Sequence, residues 1–347
     1  MIMTRTPFRI SFFGGGTDYP AWYMEHGGTT IATTIDKYCY ITCRKLPPFF
    51  EYKHRIVYSN TECVSRIDEI NHPSVRECLR YFRFDDLDIG LEIHHDGDLP
   101  ARSGLGSSSA FTVGLLQALY ALGGKTITKL ELAKLAIEIE QNWSKENVGS
   151  QDQTCAAFGG LNKLNFHRNG ELSVDPVIIP PQVEQDLEKH CMLYFTGFSR
   201  IASDIAGEQI KTTQQKHLEL RRMHTMVEEA ISILSADSVS MQDFGQLLNE
   251  AWMIKRSLTS RISTHKIDEM YTSAINAGAW GGKLLGAGGG GFMLLFVAPE
   301  KQESVAQALS SLMRVNFKFE KLGSTISVYQ PNMDGGYHDQ RSITHTV

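Results

Sequence analysis

A glycine- and serine-rich segment offers groups that could bind phosphate. It reads Leu-Pro-Ala-Arg-Ser-Gly-Leu-Gly-Ser-Ser-Ser-Ala over residues 99–110 and leads into an apolar stretch typical of a buried helix. The first amides of a helix are unpaired and carry partial positive charge, and glycines let this backbone approach phosphate oxygens closely. The hydroxyl groups of Ser107, Ser108 and Ser109 could add donors or a magnesium ligand. The plainer interpretation is a serine helix cap after a glycine turn.

The segment is not a Walker A loop, because the pattern Gly-x-x-x-x-Gly-Lys-Ser/Thr does not occur in the sequence. Two further glycine-bearing segments could approach a ligand. Gly286–Gly291 contains four consecutive glycines, and since such a run is entropically costly to order, its backbone is expected to pass close to something. The alternative for this run is a tight helix-to-strand crossover.

Near the N-terminus, an alternating strand pattern ends in a glycine turn that presents Thr17 and Asp18. A carboxylate just past the end of a strand could accept hydrogen bonds from substrate hydroxyls. It could equally cap an Asx turn.

The elements that must position these segments alternate between strand and helix patterns. Thr128–Glu131 is a capping box that opens a helix extending to about residue 142, and Pro180 and Pro181 mark the expected domain boundary. In the first domain the patterns predict strands at 30–44, 88–94, 161–166 and 172–177 and a buried helix at 107–122. In the second they predict strands at 191–196, 292–297 and, closing the domain, 324–328, with helical stretches at 203–235, 241–258, 265–278 and 301–317.

Bulk composition bounds the class of protein. The 347 residues are 42% hydrophobic and 21% charged, which indicates a globular chain with room for two domains. A net charge of −5 argues against a nucleic-acid-binding surface. No apolar run approaches the roughly 20 residues of a membrane span, and the six cysteines contain no Cys-x-x-Cys pair. We therefore expect a cytoplasmic enzyme with reduced thiols, without a nucleic-acid or membrane partner.

Taken together and in this order, the three glycine-bearing segments resemble the motifs of the GHMP kinases. Pro100 to Ser108 matches the family's Pro-x-x-x-Gly-Leu-Gly-Ser-Ser phosphate loop, and the resemblance covers roughly residues 5 to 330. It implies an α+β fold of two domains. A ribosomal-protein-S5-like N-terminal domain would span residues 1–182 and a ferredoxin-like C-terminal domain residues 183–347, with ATP and substrate meeting between them.

The resemblance also implies roles for individual residues. Asp152 would be the catalytic carboxylate, as general base or as orienting group, with Arg9 beside it. Glu140 and Ser108 would bind Mg²⁺. Glu138 competes with Glu140, but it lies about 200° away around a helix, so only one of the two can face the site. The groups expected to contact ATP phosphates are Gly104, Gly106, Ser107, Ser108, Ser109, Gly288 and Gly289.

The substrate is indicated by the wording of the first motif. Thr17 and Asp18 resemble the sugar-contacting turn of sugar kinases, and Phe-Phe-Gly-Gly-Gly-Thr-Asp-Tyr-Pro is similar to the heptose 7-phosphate kinases and to the kinase part of fucokinases. The implied reaction phosphorylates the anomeric hydroxyl of a sugar phosphate, for nucleotide-heptose synthesis. Five basic residues could bind the substrate's own phosphate: Arg102, Arg200, Lys255, Arg256 and Lys283.

Alternatives remain open at this point. A fucose-type free-sugar kinase would have no use for a second anion site. A non-catalytic sugar sensor would be expected to lack Asp152, Glu140 or Ser108, all of which are present. A mevalonate-type kinase is disfavoured by the sugar-like turn, and a galactokinase by the absence of Gly-Glu-His-Thr-Asp. The sequence leaves the oligomeric state open between monomer and homodimer.

Overall fold

A computed structural model describes residues 1–86, 89–101, 103–197, 202–213 and 215–330. Arg102 and Arg200, two of the predicted phosphate ligands, lie outside the described residues. The described chain forms two β-sheets with helices packed against them, so the predicted α+β architecture is confirmed.

The larger sheet is organised by its second strand. Its nine strands are β1 (Ile2–Phe13), β2 (Gly28–Leu46), β3 (His54–Val57), β4 (Thr61–Val64), β5 (Gly90–Gly97), β6 (Asn162–Phe166), β7 (Leu172–Pro176), β12 (Phe319–Glu320) and β13 (Thr325–Tyr329). The 19-residue β2 pairs antiparallel with β1 along one edge. Its other edge pairs with β6, β12 and β5. Strand β1 therefore runs through the sheet and delivers the first glycine turn at its end.

The smaller sheet is antiparallel, in the order β11-β8-β10-β9. Its strands are β8 (Cys191–Gly197), β9 (Ala279–Leu284), β10 (Gly291–Val297) and β11 (Met313–Val315). The helices are α1 (Pro20–His26), α2 (Pro73–Tyr81), α3 (Ser107–Leu122), α4 (Lys129–Glu138), α5 (Gln151–Phe158), α6 (Pro181–Lys189), α7 (Ala202–Thr212), α8 (His217–Leu234), α9 (Met241–Leu258), α10 (His265–Asn276) and α11 (Gln302–Ala308). One π-helical turn, Ile139–Trp143, continues α4.

Local sequence accounts for the ends of the helices that carry the site. Gly106 caps α3 in the left-handed conformation, with φ 75°, which glycine adopts without strain. The capping box of α4 is present, since the Thr128 hydroxyl accepts from the Glu131 amide and the Glu131 carboxylate accepts from the Thr128 amide. Helix α3 is buried on nearly all sides, as its apolar composition predicts.

Three expectations for the second half of the chain are wrong. The last strand does not close the smaller sheet, because β13 pairs with β1 and supplies the partner that the outer edge of β1 requires. The helical stretch 203–235 is divided into α7 and α8. The final helix ends at Ala308, and Met313–Val315 forms an edge strand on β8.

Aromatic packing joins the two sheets near the end of β1. Phe12 and Phe13 both meet the ring of Phe244 on α9 edge-on, with centroids 5.6 and 5.2 Å apart. Such contacts fix α9 against the strand that carries the glycine turn. Among the described residues, no helix is long and apolar enough to cross a membrane, and all six cysteines are unbridged.

Candidate active site

Arg9 and Asp152 form a bidentate ion pair beside the N-terminal end of α3. The Arg9 Nε donates to Asp152 Oδ1 at 2.8 Å, and Nη2 donates to Oδ2 at 2.7 Å. Arg9 projects from β1 and is 3% exposed, while Asp152 lies in the first turn of α5. Burial opposes the charged guanidinium, but the charge and hydrogen bonds of Asp152 leave the pKa of Arg9 raised. The pair thus presents an oriented carboxylate beside a permanent cation.

The phosphate loop is fastened to this pair. The Nη1 of Arg9 donates to the carbonyl oxygen of Gly104 at 2.7 Å, and the backbone amide of Arg9 donates to the carbonyl oxygen of Leu105 at 3.0 Å. A Cβ atom on Gly106 would lie 3.2 Å from Arg9 Cγ and 3.5 Å from Asp152 Cγ. The amide end of α3 therefore adjoins the Arg9–Asp152 pair, where an anion would meet both.

The segment Gly286–Gly291 packs against the phosphate loop, and this close contact explains why both segments contain glycine. A Cβ atom on Gly104 would lie 2.4 Å from the Leu285 carbonyl oxygen, and one on Gly291 would lie 2.2 Å from that of Ser103. The amide of Phe292 donates to the same Ser103 oxygen at 3.1 Å. The backbone proximity expected from the sequence is thus contact between the two loops.

This packing involves two of the glycines expected to contact phosphate. A Cβ atom on Gly288 would lie 2.8 Å from Ile262 Cα, and the amide of Gly289 donates to the Ile262 carbonyl oxygen at 2.9 Å. The amide of Gly289 is therefore already used within the protein, and a phosphate contact for Gly289 stays a prediction. A phosphate contact for Gly288 stays a prediction.

Glu140 is the buried carboxylate beneath the phosphate loop. Its Oε1 accepts from Thr112 Oγ1 at 2.7 Å, and its Oε2 accepts from Ser109 Oγ at 2.8 Å and from Gln153 Nε2. Burial raises the pKa of Glu140 to about 7, although the hydroxyl donors oppose the shift. Glu138 is exposed instead and accepts from the side chains of Asn142 and Trp143.

The donor set around Glu140 suits magnesium. Mg²⁺ prefers oxygen ligands and is commonly held by one or two carboxylates together with substrate phosphates. Ser109, rather than Ser108, contacts Glu140, while Ser108 is exposed at the N-terminal end of α3. A ligand role for Ser108 stays a prediction. Across the described residues, no group of three or more His, Cys, Asp or Glu side chains could hold a metal ion by itself.

Asp18 is held in the first glycine turn. Its Oδ1 accepts from the Gly16 amide at 2.9 Å, and its backbone carbonyl accepts from the Ser150 amide at 2.9 Å. A Cβ atom on Gly149 would lie only 1.8 Å from Asp18 Oδ2, so a larger residue there would displace the Asp18 carboxylate. Burial raises the pKa of Asp18, whereas the Gly16 hydrogen bond opposes the shift.

Thr17 has a different role from the one expected. It is fully buried, and its hydroxyl group lies 2.8 Å from the carbonyl oxygens of Gly14 and Thr29 and accepts from the Thr29 amide. These backbone contacts occupy the hydroxyl, so Thr17 shapes the turn. The prediction that it contacts substrate is corrected.

Two buried polar atoms beside this turn have no hydrogen-bond partner among the described residues, and sequence reasoning missed both. They are Ser11 Oγ and Gln151 Oε1. A Cβ atom on Gly15 would lie 3.7 Å from Ser11 Oγ and 3.6 Å from Gln151 Nε2, so both side chains reach the same spot. An unpaired buried polar group costs about 1–3 kcal/mol, which a ligand hydroxyl could offset. The available signal was Ser11 two positions after Arg9, on the same face of an apolar strand.

The described basic candidates separate into two groups. Lys255 and Lys283 are buried at the cleft and donate to backbone carbonyl oxygens. Arg256 instead forms an ion pair with Asp268 of α10, at 2.7 Å. One residue along a helix rotates the side chain by about 100°, so Arg256 lies on a different face of α9 from Lys255. This geometry gives no support to the predicted substrate contact of Arg256.

The chain matches known proteins over both halves. Residues 74–160 match the family description "GHMP kinases N terminal domain", and residues 235–315 match "GHMP kinases C terminal". The chain is 32% identical over 324 residues to D-glycero-alpha-D-manno-heptose 7-phosphate kinase of Campylobacter jejuni, covering 89% of this chain and 93% of that protein. It is 26% identical to the bifunctional fucokinase/GDP-fucose pyrophosphorylase of Arabidopsis thaliana, over 87% of this chain and 30% of that protein.

Solved structures agree. A crystal structure described as a D-glycero-D-manno-heptose 1-phosphate kinase from Bacteroides thetaiotaomicron superposes with a TM-score of 0.71 at 25% identity, covering 95% of this chain and all of the other. A crystal structure of a mevalonate kinase superposes with a TM-score of 0.69 at 19% identity, over 92% of this chain and all of that chain, and this likeness concerns the fold.

Proposed function

This chain belongs to the GHMP kinase family, and we propose that it transfers the γ-phosphoryl group of ATP to the anomeric hydroxyl of D-glycero-D-manno-heptose 7-phosphate, giving the 1,7-bisphosphate. Kinase activity on a sugar phosphate follows from its relatives. The observation that carries the proposed chemistry is the Arg9–Asp152 pair, fastened beneath the amide end of α3. The position of the acceptor hydroxyl and the identity of the sugar are part of the proposal.

In the proposed reaction, the phosphate loop holds the triphosphate of ATP and Asp152 orients the acceptor hydroxyl. The hydroxyl oxygen forms a bond to the γ-phosphorus as the bond to the β,γ-bridging oxygen breaks, and ADP leaves. The hydroxyl proton passes to Asp152 Oδ2 and then to solvent. Arg9 keeps the carboxylate oriented, and its charge compensates part of the charge on the phosphoryl group. Phosphoryl transfer depends mainly on such positioning and charge compensation.

Magnesium fits this scheme at Glu140. The carboxylate of Glu140, with the hydroxyl of Ser108 as a second candidate, would hold the ion against the phosphates. A bound Mg²⁺ neutralises charge on the phosphate oxygens during transfer. Both oxygens of Glu140 accept hydrogen bonds from hydroxyl and amide groups, and a bound ion would replace part of these contacts.

The acceptor sugar would occupy the space beside the first glycine turn. Asp18 supplies a buried carboxylate for sugar hydroxyls, and Ser11 and Gln151 supply the two unpaired polar atoms. A polyhydroxylated ligand matches this set because each of its hydroxyl groups can both donate and accept. The heptose itself is suggested by the 32% identical relative.

The test is ATP turnover with Mg²⁺ against D-glycero-D-manno-heptose 7-phosphate, the dephosphorylated heptose, fucose, galactose and mevalonate. We expect turnover with the heptose 7-phosphate, and loss of about two or more orders of magnitude in Asp152→Asn, as for removal of a positioned general base. The product should carry its new phosphate at the anomeric carbon, as read by phosphorus NMR. Preferred turnover of a free sugar would overturn the substrate assignment and leave the kinase chemistry in place.

A further inference from the structure

Two lysines are buried at the cleft with only backbone carbonyl groups as partners. Lys255, on α9, is 8% exposed, and Lys283, on β9, is 4% exposed. The Lys255 Nζ donates to the carbonyl oxygens of Leu284, at 3.1 Å, and Gly286. The Lys283 Nζ donates to that of Phe12 on β1, at 2.9 Å. In the part of the chain that the structure describes, neither ammonium group forms an ion pair with a carboxylate.

Lys255 is connected to the reacting groups through the two packed loops. A Cβ atom on Gly286, whose carbonyl oxygen accepts from Lys255, would lie 2.5 Å from Gly104 Cα. The carbonyl oxygen of Gly104 in turn accepts from Arg9. Lys255 and Arg9 therefore donate hydrogen bonds to the two sides of the contact between Gly286 and Gly104, and Arg9 in turn pairs with Asp152.

The charges facing these lysines do not balance. Burial, followed by the charge of Arg9, lowers the pKa of Lys255 to about 8, while Asp18 and Asp152 act in the opposite direction. Burial and the charge of Lys255 lower the pKa of Lys283 well below its usual value, with Asp18 opposing. Three basic groups, Arg9, Lys255 and Lys283, thus lie near the two carboxylates of Asp18 and Asp152, and Arg9 already pairs with Asp152.

A purely structural role does not account for this arrangement. Burying an ammonium group without a counter-ion is strongly unfavourable. Carbonyl oxygens at a loop contact need only a neutral donor such as water or an amide. An anion bound against the ammonium groups would recover the desolvation cost and hold both lysines protonated.

We propose that Lys255, supported by Lys283, forms a phosphate-binding site at the base of the cleft, whose ligand completes the charge balance left open by Arg9, Asp18 and Asp152. The inference rests on the proposed function, because the phosphate comes from one of two sources. It is either the γ-phosphoryl group of ATP or the phosphate that the sugar already carries.

The experiment compares ligands that differ by one phosphate. Affinities are measured calorimetrically for ADP against the β,γ-imido analogue of ATP, and for heptose 7-phosphate against the dephosphorylated heptose. The variants are Lys255→Met, which removes the charge, and Lys255→Arg, which keeps it. Arg256→Met is the matched control, because it removes a neighbouring cation whose partner is Asp268 on α10.

In Lys255→Met we expect one phosphate-bearing ligand to bind about tenfold or more weakly, while its counterpart lacking that phosphate is unaffected, as for a lost hydrogen bond between charged groups. Lys255→Arg, which keeps the positive charge, should bind that ligand more tightly than Lys255→Met does. Loss confined to the imido analogue identifies the γ-phosphoryl group, and loss confined to heptose 7-phosphate identifies the sugar's phosphate.

Two outcomes for Lys255→Met would overturn the proposed site. One is an equal loss of affinity for all four ligands, which would show that Lys255 only supports the fold. The other is no loss of affinity for any of them. If the wild-type protein does not bind heptose 7-phosphate, the proposed substrate is wrong. The comparison of ADP with the imido analogue then decides by itself whether Lys255 binds phosphate.

Discussion

The substitution Arg9→Lys separates the geometry of the catalytic pair from its charge. Arginine holds Asp152 through two parallel hydrogen bonds, at 2.8 and 2.7 Å, and holds Gly104 through a third, at 2.7 Å. A lysine in this position keeps the positive charge but offers a single nitrogen, which cannot reproduce the fork. Asp152 would then be free to rotate away from the acceptor hydroxyl.

The magnitude follows from the bonds lost. A hydrogen bond to a charged group contributes about 1.5–3 kcal/mol, so losing one of the two bonds to Asp152 should lower kcat about 10- to 150-fold, at 1.4 kcal/mol per tenfold. The KM for the sugar phosphate should change by less than about threefold, because the bond orients the base rather than binding the sugar. The steady-state rate of ADP release, with the sugar phosphate varied at saturating ATP, gives both constants.

Arg256→Lys is the control for this experiment. Its guanidinium also pairs with a carboxylate, that of Asp268 at 2.7 Å, but at the surface and away from the cleft. A kcat within about twofold of wild type is expected there, since surface ion pairs contribute little. If Arg9→Lys also keeps kcat within about threefold, the fork does not orient Asp152 and the proposed role of Arg9 is wrong.

Four further outcomes are expected. Glu140→Gln should raise the Mg²⁺ concentration needed for half-maximal activity about tenfold or more, as for loss of a metal ligand. Substitution of the exposed carboxylate, Glu138→Gln, should leave this concentration unchanged. Equal effects of the two substitutions would contradict the assignment of Glu140 as the magnesium ligand. Gly149→Ala should raise the KM for the sugar and spare the KM for ATP, because its Cβ displaces Asp18. In wild type, kcat/KM should fall as pH rises through about 8, because Lys255 then loses its proton. Lys255→Arg should move this fall to higher pH. A fall at the same pH in Lys255→Arg would mean that another group causes it. Thr128→Ala should lower the free energy of unfolding by about 1 kcal/mol through loss of the cap, seen as a lower Tm with unchanged kcat.

The sequence was informative where function depends on backbone geometry. The phosphate loop and helix α3 were predictable because a glycine-rich turn before an apolar helix has few structural solutions. The choice of Glu140 over Glu138 followed from the family's spacing to Asp152, and helical geometry added only that the two carboxylates cannot both face the site. Asp152 and Arg9 were recognised through family resemblance, and the structure adds that they are hydrogen-bonded to each other.

Contacts between distant segments could not be predicted in this way. No feature of the local sequence indicates that the Thr17 hydroxyl group donates to the Thr29 carbonyl oxygen, or that the Gly289 amide donates to the Ile262 carbonyl oxygen. Lys255 and Arg256 are adjacent in sequence and equivalent in charge, so only the orientation of α9 separates a buried cation from a surface ion pair. Such distinctions arise from tertiary packing.

The pairing of β13 with β1 has a consequence for how the protein is made. Ile2–Arg5 are synthesised well before their outer partner, Thr325–Tyr329, which lies about 320 residues later in the chain. At about 5–20 residues per second, the outer edge of β1 waits tens of seconds for its partner. An unpaired edge strand is a template for association with other chains. The strand that carries Arg9 therefore keeps an unpaired outer edge until Thr325–Tyr329 have been synthesised.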